Sequence, residues 1–228
     1  MPVHVAFTPA EEGAARVGIV VDVVRATSSI AQALAAGYER VLCCREIDEA
    51  HALRAELGGE AVVGGERRGV VVEGFDVGAS PREFARGPRA PTLILSTTNG
   101  TAAILAAVAR CRTVVLGSLL NLDAVAAAAR SAGDDVAIFC AGFQGAFALD
   151  DAYCAGRIVQ ALGGERTDAA EAADLLARSF ATALEGLSAR TYGPPGLEED
   201  IAYCARENLL GTVPRFTRMV GPAAEIVA

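Results

Sequence analysis

Two short polar segments carry most of the chemistry available to this chain. The first is Asp22-Val-Val-Arg25-Ala-Thr27-Ser28, where an acid follows directly on the apolar run VGIVV. An acid at a strand end, with arginine and two hydroxyls after it, can hold a metal ion and a phosphate together. The same residues also make an Asp–Arg surface pair and a Ser/Thr helix cap. Val24 occupies the second acidic place of a DxDx[TV] pattern, which disfavours a covalent aspartyl intermediate. The second segment, Thr97-Thr98-Asn99-Gly100-Thr101, lies between LILS and an alanine-rich apolar run. A helix starting there offers an anion unpaired backbone N–H groups and a positive dipole end, and Gly100 permits close approach. Simple capping by Thr or Asn accounts for the same residues. The turn is neither GxxxxGK[ST] nor GxGxxG.

Further carboxylates stand at Glu66, before Arg67, at Asp76 in GFDVG, and at Asp150-Asp151, which opens a helix where acids favour the dipole. Taken singly, Glu66 and Asp76 read better as solvated loop charges, and Asp150-Asp151 as a helix cap. Cys140 has Ala146 where a Cys-x5-Arg loop needs arginine, and no histidine stands near it. A small structural cysteine at a strand end is the expected role. The six cysteines form no CxxC pair and only His4 and His51 supply imidazoles, so zinc is disfavoured. Any metal would be a hard cation on oxygen ligands, Mg²⁺ or Mn²⁺.

Positioning these residues falls to a repeated pattern of apolar strand, polar turn and helix. RVGIVVDVVRATSSIAQALAAG, PTLILSTTNGTAAILAAVARC and DDVAIFCAGFQGAFALDDAYCAGRIVQALGG all follow it. The alternation predicts an α/β fold with helices layered around a mainly parallel or mixed sheet, its ligand site at the carboxyl ends of the strands. A charged amphipathic helix is expected over 47–57, a short strand over 61–63 and a glycine-rich connector through Pro81. The C-terminal third reads as mostly helical, over 167–187 and 197–210, with TYGPPG as a turn or linker between. One α/β unit spanning 1–228 is expected, with room for two intimately packed subdomains, since no linker divides the chain.

Composition narrows the partners. Every one of the 20 cations is arginine, and the net charge of −8 argues against nonspecific binding of nucleic acid or anionic membrane. The N-terminus lacks signal-peptide character, and no apolar run approaches the ~18 residues of a spanning helix. A cytoplasmic protein is expected. Its Ala/Val helices leave a homodimer open.

Taken together, VDVVRATSSI, GGERRG, GFDVGASPREF, TTNGT, GSLLN, CAG, ALDDAYCAG and EEDIAYCARENLLGTVP resemble the 2-phosphosulfolactate phosphatase (ComB) family, over about Val21 to Pro214. The resemblance implies a family-specific α/β architecture and Mg²⁺-dependent hydrolysis of (R)-2-phospho-3-sulfolactate, a small anionic phosphomonoester. It implies Asp22, Glu66, Asp76 and Asp151 as metal ligands, and Asp22, Arg25 and Asn99 in catalysis. Thr27, Ser28, Arg67, Ser80, Thr97, Thr98, Gly100 and Thr101 would contact substrate. This chain departs from the family at Ala79, where asparagine is frequent, and at Asp150, where glutamate is common. Hydrolysis of another small phosphomonoester, or noncatalytic binding of an anionic metabolite, are the competing readings.

Overall fold

Successive side chains along the apolar runs feed different cores. On β2 (Val17–Val21), Val17, Ile19 and Val21 join one apolar cluster while Val20 joins another. On β8 (Val136–Cys140), Val136, Ile138 and Cys140 separate in the same way from Ala137 and Phe139. Strands buried on both faces need helices on both sides, which is why these runs are continuously apolar rather than alternating with polar residues. The structure is a computed structural model that describes residues 1–11 and 15–228.

In chain order the strands are β1 (Pro2–Ala6), β2, β3 (Arg40–Cys43), β4 (Ala61–Arg67), β5 (Val70–Val71), β6 (Thr92–Ser96), β7 (Thr113–Gly117), β8, β9 (Glu165–Arg166), β10 (Arg215–Val220) and β11 (Ala223–Val227). The helices are α1 (Ala26–Ala35), α2 (Ile47–Leu57), α3 (Pro81–Phe84), α4 (Gly100–Val108), α5 (Leu122–Ser131), α6 (Leu149–Leu162), α7 (Asp168–Arg178), α8 (Ala183–Ser188) and α9 (Glu198–Cys204). The strands form one mixed sheet in the order β5-β4-β6-β3-β11-β10-β7-β2-β8-β1-β9. One parallel block holds β4, β6 and β3, and a second holds β7, β2, β8, β1 and β9. The antiparallel β10–β11 hairpin joins them, and β10 meets β7 at the single pair Arg215↔Val115.

Helices α1 and α4 cross between the two blocks. Ile30 and Leu34 of α1 and Ile104 of α4 share one core with Val20, Leu116 and Phe139 of one block and Val41, Val62 and Leu95 of the other. The opposite face of the larger block is covered by α5, α6 and α7, through side chains such as Val125, Ile158 and Ala173. The opposite face of the smaller block packs on α2 through Ala50 and Leu53. The expected layered α/β architecture is therefore present.

The C-terminal third departs from the helical expectation. The helix expected over 167–187 breaks into α7 and α8, capped separately by the Thr167 and Thr182 hydroxyls. The one expected over 197–210 ends at Cys204. Beyond it, the Asn208 and Leu210 N–H groups bond to the carbonyls of Leu119 and Leu120, and the chain then enters the hairpin that bridges the two blocks. The expected strand 61–63 runs on to Arg67, so Glu66 and Arg67 belong to β4 and not to a connector.

Candidate active site

The carboxyl ends of β2, β4 and β6 open on one cleft, lined by Asp22, Arg25, Glu66, Thr97, Thr98 and Asn99 of the expected residues. The polar turns thus converge, as strand-end turns of such sheets do.

Asp22 follows β2 at the point where α1 begins. Its Oδ1 accepts the Ala26 N–H at 3.2 Å, while its backbone exchanges hydrogen bonds with Thr27. Burial chiefly, with Glu66 and Asp150 nearby, pushes the Asp22 carboxyl up to about 7 against the opposing pull of the Ala26 N–H. Glu66 ties two loops together. Its Oε1 accepts the Thr98 N–H at 2.8 Å, and its Oε2 accepts the Thr98 hydroxyl at 3.1 Å and the Gly69 N–H at 2.5 Å.

At the start of α4, Thr97 and Thr101 bond reciprocally: each hydroxyl accepts the other's N–H, and the Thr101 hydroxyl donates to the Thr97 carbonyl. The Asn99 side chain turns away from capping and accepts the Gln144 N–H at 3.1 Å. The Asn99 and Gly100 N–H groups have no acceptor among the described residues. They are the unpaired donors expected where a helix start serves an anion.

Arg25 is held from both sides. Its Nη1 donates to Asp200 Oδ2 at 2.8 Å and its Nη2 to the Gly69 carbonyl at 3.3 Å. Asp200 Oδ1 takes the Ser80 hydroxyl at 2.6 Å. The TYGPPG segment, expected to be a turn or linker, closes one wall of the cleft through Tyr192 and Pro194, next to Arg190 just before it. Tyr192 stacks on Phe143 at 4.3 Å and its hydroxyl donates to Asp150, which also receives Arg190 Nη1 at 3.3 Å.

Several expected contacts are placed elsewhere. The Thr27 and Ser28 hydroxyls are fully buried and donate to the Asp22 and Val23 carbonyls, joining β2 to α1 without reaching the cleft. Ser80 is committed to Asp200, and Thr101 to its own turn. Arg67 points away, donating to the carbonyls of Arg45, Glu66 and Ser96 and to the Ser96 hydroxyl. Its neighbour Arg68 lines the cleft instead. Asp76 lies outside the cleft, accepting the Val63 N–H at 2.8 Å and pairing with Arg54 at 3.2 Å. Asp151 sits behind the cleft, its two oxygens accepting the Val23 and Gly142 N–H groups at 2.8 and 3.0 Å. Burial and the charges of Asp150 and Asp22 hold its carboxyl well above the usual range. Cys140 is buried in the core with its thiol pushed up, the structural setting expected of it.

Among the described residues no group of three or more His, Cys, Asp or Glu side chains forms a metal cage. The donor chemistry nevertheless fits Mg²⁺. This cation is commonly held by one or two carboxylates with substrate and water completing its shell. Asp22 and Glu66 line the cleft, and Asp22 lies in the field of two further acids, a repulsion that a cation would offset.

Arg68, Arg190, Tyr192 and Asp200 carried no spacing signal that singles them out. Arg68 stands just beyond the end of β4 with φ of +54°, so strand alternation does not settle where its side chain goes. Within β4, Ala61 and Val63 face one core and Val62 the other, so Glu66 has the parity opposite to Arg67.

Fold and cleft together define a layered α/β protein with arginines and a helix start gathered around carboxylates at its strand ends. The 2-phosphosulpholactate phosphatase family model matches residues 5–219. A probable 2-phosphosulfolactate phosphatase of Carboxydothermus hydrogenoformans is 40% identical over 204 residues, 86% of this chain and 84% of that protein. One from Clostridium acetobutylicum is 36% identical over 89% of this chain and 90% of its own. The 2-phosphosulfolactate phosphatase of Methanothermobacter thermautotrophicus is 36% identical over 86% of this chain and 84% of its own. The chain belongs to the 2-phosphosulfolactate phosphatase family.

Proposed function

We propose that this protein hydrolyses (R)-2-phospho-3-sulfolactate to 3-sulfolactate and phosphate, with Mg²⁺, by direct in-line attack of water on phosphorus. The observation that carries the reading is the pair of unpaired N–H groups at the start of α4, where Asn99 lines the same cleft as Arg25 and Asp22 and the buried Gly100 follows it directly. In the attack a bond forms between the water oxygen and phosphorus while the ester P–O bond breaks. The water gives up a proton and the departing alkoxide oxygen gains one.

The Asn99 and Gly100 N–H groups donate to the phosphoryl oxygens as charge builds on them, with the preorganisation that makes such donors effective. Arg25, fixed by Asp200 and the Gly69 carbonyl, adds a guanidinium to the same oxygens. Asp22, at the end of β2 on this cleft, would ligate metal or orient the water. Mg²⁺, held by Asp22 and Glu66 when bound, supplies neutralisation of the phosphoryl charge. Arg190 and Tyr192 line that side of the cleft.

Ala79 lines the cleft and favours a second reading, in which another small phosphomonoester is the substrate. Phosphate release from racemic phosphosulfolactate and from phospholactate, each with Mg²⁺ and with EDTA, separates the two. Mg²⁺-dependent release favouring the sulfonated ester is expected. Equal rates would support the second reading, and no release from either by folded protein would overturn both.

A further inference from the structure

Three guanidinium groups line the cleft, and two of them already face carboxylates at close range. Arg25 pairs with Asp200 at 2.8 Å and Arg190 with Asp150 at 3.3 Å, all four side chains being at most 11% exposed. Arg68 is the third. It has no ion-pair partner among the described residues, and its side chain is open to solvent at the cleft mouth.

The main chain beneath Arg68 is nonetheless held firmly. Its φ of +54° lies in the left-handed region that long side chains seldom adopt. Its N–H donates to the Thr98 hydroxyl at 3.0 Å, and the next N–H, of Gly69, goes to Glu66. Gly69 is pressed so closely on Pro194 that a Cβ there would stand 2.3 Å from the proline ring. A left-handed residue fixed by three neighbours and ending in an uncompensated cation is an outlier of the kind that marks ligand sites. Thr98 links it to the anion-binding turn, since it receives the Arg68 N–H on one side and adjoins the Asn99 N–H on the other.

We propose that Arg68 is a specificity-determining residue that receives the non-reacting anionic group of the substrate, the carboxylate or sulfonate that accompanies the phosphoryl ester. The proposal rests on the phosphatase reading above. The phosphoryl group takes the Asn99–Gly100 donors and Arg25, whose charges are positioned by Asp200. A second anion on the same small molecule then meets the one cleft guanidinium that has no carboxylate of its own. The planar fork of arginine matches the paired oxygens of a carboxylate or a sulfonate.

The test uses Arg68→Met, which keeps the length of the stem and removes the charge, with Arg68→Lys beside it. Rates are measured on phosphosulfolactate, phospholactate and glycerol 2-phosphate, which bears no second anionic group. The preference in kcat/KM for phosphosulfolactate over glycerol 2-phosphate should fall on the order of ten- to a hundredfold in R68M, through KM, and recover in part in R68K. If the preference for phospholactate falls as well, the carboxylate is the group bound; if it holds, the sulfonate is. An unchanged preference in R68M overturns the proposal. Equilibrium binding of 3-sulfolactate and of inorganic phosphate keeps the test independent of turnover. A tenfold or greater loss for 3-sulfolactate in R68M, without the same loss for phosphate, supports the assignment even if none of the esters is hydrolysed, in which case the phosphatase reading alone fails. Equal affinity of wild type and R68M for 3-sulfolactate, or no binding by wild type, overturns it.

Discussion

Asp22 and Gly100 meet at the point where the two crossover helices begin. A Cβ on Gly100 would stand 2.6 Å from Asp22 Oδ2 and 2.3 Å from the Ala26 Cβ. The absent side chain lets the start of α4 approach the Asp22 carboxylate and the start of α1 together. Gly100→Ala must therefore push the two helix starts apart. Chemical denaturation should show a loss of about 1–3 kcal/mol, and phosphate release should fall by roughly a hundredfold through the displaced donors. An alanine variant equal to wild type in both would remove Gly100 from the account.

Asp22→Asn tests the acid itself. It replaces a buried carboxylate that has acidic neighbours by a neutral side chain of the same shape, so the fold should persist. Turnover should drop on the order of a thousandfold. Asp76→Asn is the matching control, because Asp76 binds the Val63 N–H and Arg54 outside the cleft. It should stay within about twofold of wild-type turnover. A fully active D22N enzyme, or an inactive but folded D76N enzyme, would reverse the two assignments.

Asp200 should act on the site through Arg25. Asp200→Ala leaves the Arg25 guanidinium buried without its carboxylate and deprives the Ser80 hydroxyl of its acceptor. Removing one member of a buried pair commonly costs roughly 3 kcal/mol or more. Thermal unfolding should show that loss, and Asp200→Asn, which still accepts hydrogen bonds, should fall between. Wild-type stability in D200A would mean that the C-terminal segment does not depend on this contact.

Glu225 offers a pH dependence away from the cleft. Arg218, then Thr217 and Arg40, hydrogen-bond its carboxylate and lower it from 4.5 to about 2, against the effect of burial. A depressed carboxylate contributes stability that is present above its unfolded value and disappears as pH falls through its folded value. Urea midpoints of wild type and Glu225→Gln should accordingly differ most near pH 6 and converge between pH 4.5 and 2. A constant gap across that window would show that the ionised carboxylate is not the source.

Much of the first two thirds of the chain is legible locally because it depends on near neighbours. Apolar runs of strand length, polar turns after them and helical periodicity reflect backbone geometry within one or two turns. They place Asp22 and Thr97–Asn99 at strand ends, where the structure has them facing one cleft. The C-terminal hairpin was not legible in the same way. Gly211 and Pro214 interrupt the helical reading, and β10 and β11 pair with each other locally, but the strands that flank this hairpin, β7 and β3, lie about a hundred residues or more away.

The chain alone determined the layered α/β class and which turns hold polar residues, since period and burial on both faces are written into short stretches. Which polar side chain faces the cleft was decided by the tertiary structure. Thr27 and Ser28 turn inward to donate to the Asp22 and Val23 carbonyls where β2 hands over to α1, and Arg67 turns away because four acceptors surround it. Arg25 is aligned by Asp200, 175 residues further along, and Asp150 by Tyr192, 42 residues on. Such pairings depend on where distant segments dock, and no local pattern records that choice.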